Sequence, residues 1–169
     1  MKQNGLKAGD ITRITVGVAG QAATMANYRP TNVWQAQFSI PFTLGAALAY
    51  GHVGPKETAA TMLSDERIRA QADKVALVSD PEADSFRPGG VPARVTIETA
   101  DGRRFQTWVP HPRGSPENPL SDDELRQKFM GLASDALGAG RAGKLDAVLA
   151  DVERLDSVER LVEAVGVIG

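Results

Sequence analysis

The rhythm of apolar and polar positions changes several times along this chain. In residues 10–18, DITRITVGV, Ile14, Val16 and Val18 alternate with Arg13, Thr15 and Gly17. A period of two, rich in β-branched side chains, predicts a half-buried strand. Residues 20–32 are polar and small, and read as a loop. Residues 36–50, AQFSIPFTLGAALAY, are mostly apolar and run into Gly51. They predict one buried helix that includes Phe38, Phe42 and the run from Leu44 to Ala49. Pro41 sits in its first turn, where the missing N–H costs nothing, and Gly51 is its C-cap. Ser64 or Asp65 caps a second helix, from Glu66 to about Lys74, with Ile68, Ala72 and Val75 on one face.

A hairpin comes next. The runs beginning at Arg94 and Arg104 flank Asp101-Gly102, a pair suited to the positive φ angles of a two-residue type I′ turn. Val95, Ile97 and Thr99 share one face, as do Phe105, Thr107 and Val109 on the return. A strand near Val75 to Val78 joins them. Pro110, Pro112, Gly114, Pro116 and Pro119 then make a stiff loop without regular structure. Ser121 to Glu124 forms a capping box with acidic residues at the positive end of a helix. Leu125, Phe129, Leu132, Ala133, Ala136 and Leu137 follow at helical spacing, and Gly138 and Gly140 end that helix. Leu145, Val148, Leu149 and Val152 mark another helix; Val158, Leu161, Val162 and Val165 mark a third. Strands mixed with helices, then helices alone, predict an α+β fold with an antiparallel sheet and an all-helical C-terminal tail.

Composition narrows the function. In 169 residues there are 19 Lys and Arg against 21 Asp and Glu, a net charge of −2, so no basic excess exists to hold a phosphate backbone. Nucleic acid is not expected as a partner. The chain has no Cys, which removes disulfides, thiolate nucleophiles and Cys-based metal sites. Its two His, His52 and His111, are far apart and cannot alone build a metal site. The opening MKQNGLKAGD lacks the apolar core of a signal peptide, and no apolar run spans a bilayer. A soluble, cytoplasmic protein without membrane contact is expected. No Walker A, dinucleotide or HExxH motif occurs.

By residue type the chain is poor in catalysts. His52, after a helix end, and His111, in PHPRG, read first as loop histidines and second as acid–base groups. Ser39 has no base nearby in sequence. The Asp and Glu residues are explained mostly by helix starts and solvated faces.

Two longer motifs go further. AQFSIPFTLGAALAYG, residues 36–51, and PRGSPENPLSDDELRQKF, residues 112–129, together resemble the C-terminal part of the MmgE/PrpD family. Between them the order also fits: Ser64-Asp65-Glu66-Arg67 opening a helix, Lys74-Val75 starting a strand, then Ala100-Asp101-Gly102-Arg103 in a hairpin. The resemblance runs from about Asp10 to about Leu137. The family includes 2-methylcitrate dehydratase, an enzyme of propionate metabolism, together with cis-aconitate decarboxylase and iminodisuccinate epimerase.

The resemblance implies a lid-like α+β domain over residues 1–112 and, over 113–169, helices that return to a large helical domain. The family's active site lies in the cleft between lid and helical domain. The family's long N-terminal helical portion and its His-bearing segment have no counterpart in this sequence. What remains of the cleft is the start of the 36–51 helix. A Tyr often stands in the family where this chain has Phe42, which keeps the ring and loses the hydroxyl. Gln37 and Ser39 are candidates to donate to a substrate carboxylate at a helix N-terminus; helix capping by Ser39 and a surface Gln37 is the competing reading. Arg113 either pairs with a carboxylate bidentately or holds its own loop. Implied, then, is metal-independent proton abstraction next to a carboxylate in a small polycarboxylate, with no cofactor. Dehydration, decarboxylation and epimerisation all remain open, and the chain is expected to be inactive without the helical portion. The alternative is a stand-alone binding or regulatory domain. The apolar stripes of the tail call for a helical-domain partner chain first and a homo-oligomer second.

Overall fold

The computed structural model describes residues 5–86 and 90–166. Residues 1–4, part of the stretch read for a leader, lie outside them. The chain divides into two compact units, Met1–Pro112 and Arg113–Gly169.

In the first unit β1 (Ile11–Val18) is followed by four helices: α1 (Gly20–Ala23), α2 (Val33–Gln37), α3 (Ile40–Tyr50) and α4 (Glu66–Ala72). Then come β2 (Val75–Ser79), α5 (Pro81–Ser85), β3 (Ala93–Thr99) and β4 (Arg104–Val109). The strands form one sheet in the order β2-β1-β3-β4. The helices between β1 and β2 make the long crossover that a parallel pair needs, and that pair is parallel. The other two pairings are antiparallel. The fold is therefore α+β with a mostly antiparallel sheet.

The alternation in β1 decides which face is covered. Ile14, Val16 and Val18 are buried with Val75, and Leu44 and Leu48 of α3 pack over them with Leu77, Val95 and Ile97. A second cluster, Ala36, Phe42, Ala46 and Ile68, holds α2, α3 and α4 together. Gly45 permits the close crossing of α3 and α4: a Cβ there would sit 2.5 Å from the Ile68 carbonyl oxygen. Pro41 lies in the first turn of α3 and Gly51 closes it in the left-handed region, as expected.

Three local expectations are corrected. The stretch 36–50 is not one helix: α2 ends at Gln37 and α3 starts at Ile40, because the Ser39 hydroxyl accepts the Phe42 N–H and restarts the helix. Phe38, expected to be buried, is consequently 58% exposed at the break. Second, the hairpin turn is not a two-residue type I′ turn. Among the described residues only glycines have positive φ, so Asp101 cannot supply its share. Gly102 N–H donates to the Thr99 carbonyl at 3.0 Å, and Thr99 N–H to that of Arg103 at 3.0 Å. The loop is Ala100-Asp101-Gly102, with Gly102 alone at φ +82. Third, the 20–32 stretch is not all loop, since it holds the single turn α1.

The second unit contains α6 (Asp122–Leu137), α7 (Ala139–Ala150) and α8 (Glu159–Val165). The Ser121–Glu124 capping box is formed in both directions. Gly138 ends α6, whereas Gly140 lies inside α7 and does not end a helix. Arg126 pairs with Asp146 at 2.6 Å, joining α6 to α7, and the Arg141 guanidinium donates to the Val165 carbonyl at 2.7 Å, reaching α8. Ala142 and Leu145 are the core of this unit among the described residues. A cavity of about 850 Å³ opens between α6 and α7, lined by Leu125, Phe129 and Leu149. No helix among the described residues is long and apolar enough to cross a membrane.

Candidate functional site

The motif at residues 36–51 builds an elbow between two helices. Asn32 caps α2 by accepting the Gln35 N–H at 2.9 Å. The Gln35 side chain turns back to accept from Thr31 N–H at 2.9 Å and from Asn27 Nδ2 at 3.2 Å. Ser39 is 1% exposed. Its hydroxyl accepts the Phe42 N–H at 3.1 Å and donates to the Asn27 carbonyl at 2.5 Å. Ile40 N–H donates to the Met25 carbonyl at 3.1 Å. These contacts tie the incoming loop to the first turn of α3, so the helix start is rigidly placed.

The far side of the loop is anchored as well. Tyr28 donates its hydroxyl to the Val75 carbonyl at 2.8 Å, and Arg29 pairs with Asp73 at 2.9 Å. At the other end of α3, Tyr50 donates to Asp65 at 2.7 Å, while Arg67 bonds both and stacks over the Tyr50 ring. Hydrogen bonds from Arg67, then Tyr50, hold the Asp65 carboxyl well below the usual carboxylate range.

Of the expected site residues, Gln37, Ser39 and Phe42 fall within one short stretch around this elbow. Gln37 is exposed, while Phe42, on α3, is fully buried against Ala36 and Ile68. The Ser39 hydroxyl has both its donor and an acceptor position spent within the chain. Arg113 belongs to the second unit. It donates to Glu124 Oε1 at 3.2 Å and to Asn118 Oδ1 at 3.0 Å, and also to the Pro119 carbonyl. There it staples the proline loop to the start of α6, and its side chain holds the Glu124 carboxyl down at about 2.

The elbow carries a feature the sequence reading passed over. Trp34 and Phe38 flank Gln37 and stack at 5.4 Å, with Trp34 70% exposed. Their spacing of four residues was the available signal. Elsewhere, His52 lies on the loop after α3, with Nε2 3.1 Å from Glu57 and Nδ1 3.2 Å from the Tyr50 carbonyl. His111 packs edge-on against Phe86 at 5.5 Å. Neither histidine belongs to the elbow. No group of three or more His, Asp or Glu among the described residues is arranged to hold a metal ion.

A four-stranded α+β unit followed by a unit of helices defines the class by its fold. The chain belongs to the MmgE/PrpD family, whose C-terminal domain model matches residues 1–154. It is similar to the cis-aconitate decarboxylase-like protein oryM of Aspergillus oryzae, at 27% identity over 157 residues. The match covers 90% of this chain and 32% of that protein, so the chain spans about a third of its relative's length.

Proposed function

We propose that this chain serves as the C-terminal part or subunit of an MmgE/PrpD-type lyase or isomerase acting on small polycarboxylates. The observation that carries the reading is the family match over residues 1–154. The chemistry is metal-independent removal of a proton from carbon next to a carboxylate, as in a 2-methylcitrate dehydratase-like or cis-aconitate decarboxylase-like enzyme.

In this reading the elbow is the substrate-facing edge of the lid. Gln37 donates its amide to a substrate carboxylate beside the first turn of α3, and the Trp34–Phe38 pair shields that contact from water. Ser39 and Phe42 act from beneath, by fixing where α3 begins. Arg113 belongs to the set as the cation that positions the proline loop. None of Gln37, Ser39, Phe42 or Arg113 is a base at neutral pH. The proton-abstracting base is therefore supplied from outside this set, by the helical portion that the family resemblance implies. The exposed apolar side chains of α6 and α8 are the docking surface for that portion.

The test is activity with and without it. The pure chain alone is expected to turn over neither 2-methylcitrate nor cis-aconitate. Removing a principal acid–base group typically costs about 10²–10⁴ in rate. Co-expression with a helical domain of the family should give a stable complex and restore turnover. Turnover by the rigorously pure chain sinks the claim that it is inactive alone. A failure to associate with any such helical domain favours a stand-alone binding domain instead.

A further inference from the structure

One face of the sheet lies under α3, and the opposite face carries a trough. The register sets Ala76, Thr15, Thr96 and Gln106 side by side across the strands. Arg94 beside Gly17 stands in the next row on one side, and Arg104 beside Glu98 in the next row on the other. Short side chains therefore lie between rows that carry long ones. Gly17 makes room for Asp80 to lie across the sheet, since a Cβ there would meet the Asp80 carboxylate at 2.9 Å. The result is a cavity of about 330 Å³ whose lining includes Thr15, Asp80, Arg94, Thr96, Arg104 and Gln106. Thr96, at its floor, is 5% exposed although it points away from α3.

The groups left over define what the trough can hold. Asp80 is spent: Oδ2 accepts from Arg94 Nε at 2.9 Å and Oδ1 accepts the Glu82 N–H at 2.9 Å. Arg94 also pairs with Glu82 and stacks on Trp108, so its charge is answered within the chain. Gln106 Nε2 donates to the Thr96 hydroxyl oxygen at 3.0 Å, which leaves the Thr96 proton and Gln106 Oε1 without partners among the described residues. The Thr15 hydroxyl and the Arg104 guanidinium likewise make no hydrogen bond or ion pair among the described residues. A hydroxyl buried with its proton unused costs free energy that a ligand acceptor recovers. We propose that this trough binds a small hydroxycarboxylate. Its carboxylate accepts from Arg104 and from the Thr15 and Thr96 hydroxyls, while a ligand hydroxyl donates to Gln106 Oε1. Unused donors outnumber unused acceptors, which selects an anion that brings a donor of its own. The single unanswered guanidinium selects a single carboxylate, and the Asp80 carboxylate close by disfavours a phosphate dianion. The volume lies at the small end for ligand sites, with room for a few carbons. Gln37 of the elbow lines no part of the trough.

Glycerate carries both halves of such a ligand; propionate lacks the hydroxyls and glycerol lacks the carboxylate. In the full chain, the amide resonances of Thr15, Thr96, Arg104 and Gln106 should shift on titration with glycerate. They should saturate with a Kd on the order of millimolar, as befits so small a ligand. Propionate and glycerol should each bind about tenfold more weakly or worse. Arg104→Met keeps the stem and removes the charge, and should weaken glycerate binding about tenfold. Thr96→Val keeps the shape and removes the hydroxyl, and should weaken it about fivefold. Should Thr96→Val disturb the sheet, Arg104→Met, at an exposed side chain, carries the same readout. Arg103→Met, on the same hairpin but outside the trough, should leave binding unchanged. No shift of the four amides with glycerate far above millimolar overturns the proposal. So does binding that survives Arg104→Met, or equal shifts from propionate and inorganic phosphate, which would show a surface that reads charge alone. Binding lost in Gln37→Ala but kept in Arg104→Met would place the anion at the elbow, overturning the trough while supporting the substrate-facing reading of Gln37.

Discussion

The two units bury their apolar side chains very differently. In Met1–Pro112, two clusters are closed: the sheet face under α3, and the Ala36–Phe42–Ala46–Ile68 cluster between helices. In Arg113–Gly169, by contrast, Leu125 is 56% exposed, Leu132 46% and Val158 72%. The first unit has a sheet on which helices can lie, so its alternating strands and small helix contacts are covered from within. In the second, α6 to α8 are tied by the Arg126–Asp146 ion pair, the hydrogen bond from Arg141 to the Val165 carbonyl and a small apolar core at Ala142 and Leu145. A unit with its own core should respond to core truncation. A unit whose large side chains are already wet should respond mainly to what covers it.

The strongest way to break this comparison is Phe42→Ala. It removes a fully buried ring from the second cluster and should cost about 3–5 kcal/mol, read as a large drop in melting temperature. A small loss would mean the first unit is not built around that cluster. Ser39→Ala comes next. It deletes the cap of α3 and the donor to the Asn27 carbonyl, and about 1–2 kcal/mol is expected by denaturant titration. Gly102→Val should cost roughly 1–2 kcal/mol, because φ is +82 there while no atom crowds the position. An unchanged melting temperature would contradict the hairpin loop. In the second unit Val158→Ser should lie within about 0.5 kcal/mol of the parent in the isolated chain. It should still reduce binding of an apolar dye, and a large destabilisation would show that α8 has a core after all.

The second unit also has an acid-sensitive helix start, as α4 of the first has at Asp65. Arg113, then the Ser121 N–H, lowers the Glu124 carboxyl from 4.5 to about 2. A depressed folded value means that this contribution is present above the unfolded pKa and is lost as pH falls through the folded one. The start of α6 should therefore loosen between about pH 4.5 and pH 2, following the two ends of that shift. Amide exchange in residues 121–125 against pH reads this directly. Protection unchanged across that window would mean the Arg113–Glu124 pair contributes nothing to the helix start.

Much of the fold follows from local chemistry. Alternation at Ile14, Val16 and Val18 determined the strand and its buried face, because a pleated backbone sends successive side chains to opposite sides. Ser121 and Glu124 determined the start of α6, and Pro41 and Gly51 framed α3, since caps act over one turn. Family membership was also legible, carried by the two long motifs. Other features needed the tertiary structure. The same stretch that reads as a single apolar helix breaks at Ser39, because the loop carbonyl of Asn27 is within reach of its hydroxyl. That contact, twelve residues back in sequence, is invisible to periodicity. Phe38 was thereby turned out beside Trp34, while Phe42 was turned in. The turn at Asp101-Gly102 took a longer loop because the closing register of β3 and β4 places Thr99 opposite Arg103. Whether an edge is guarded or open was likewise a matter of packing. Tyr28 reaches Val75 across 47 positions of sequence, and nothing in the run Arg104–Val109 announces that it lies at the rim of a sheet.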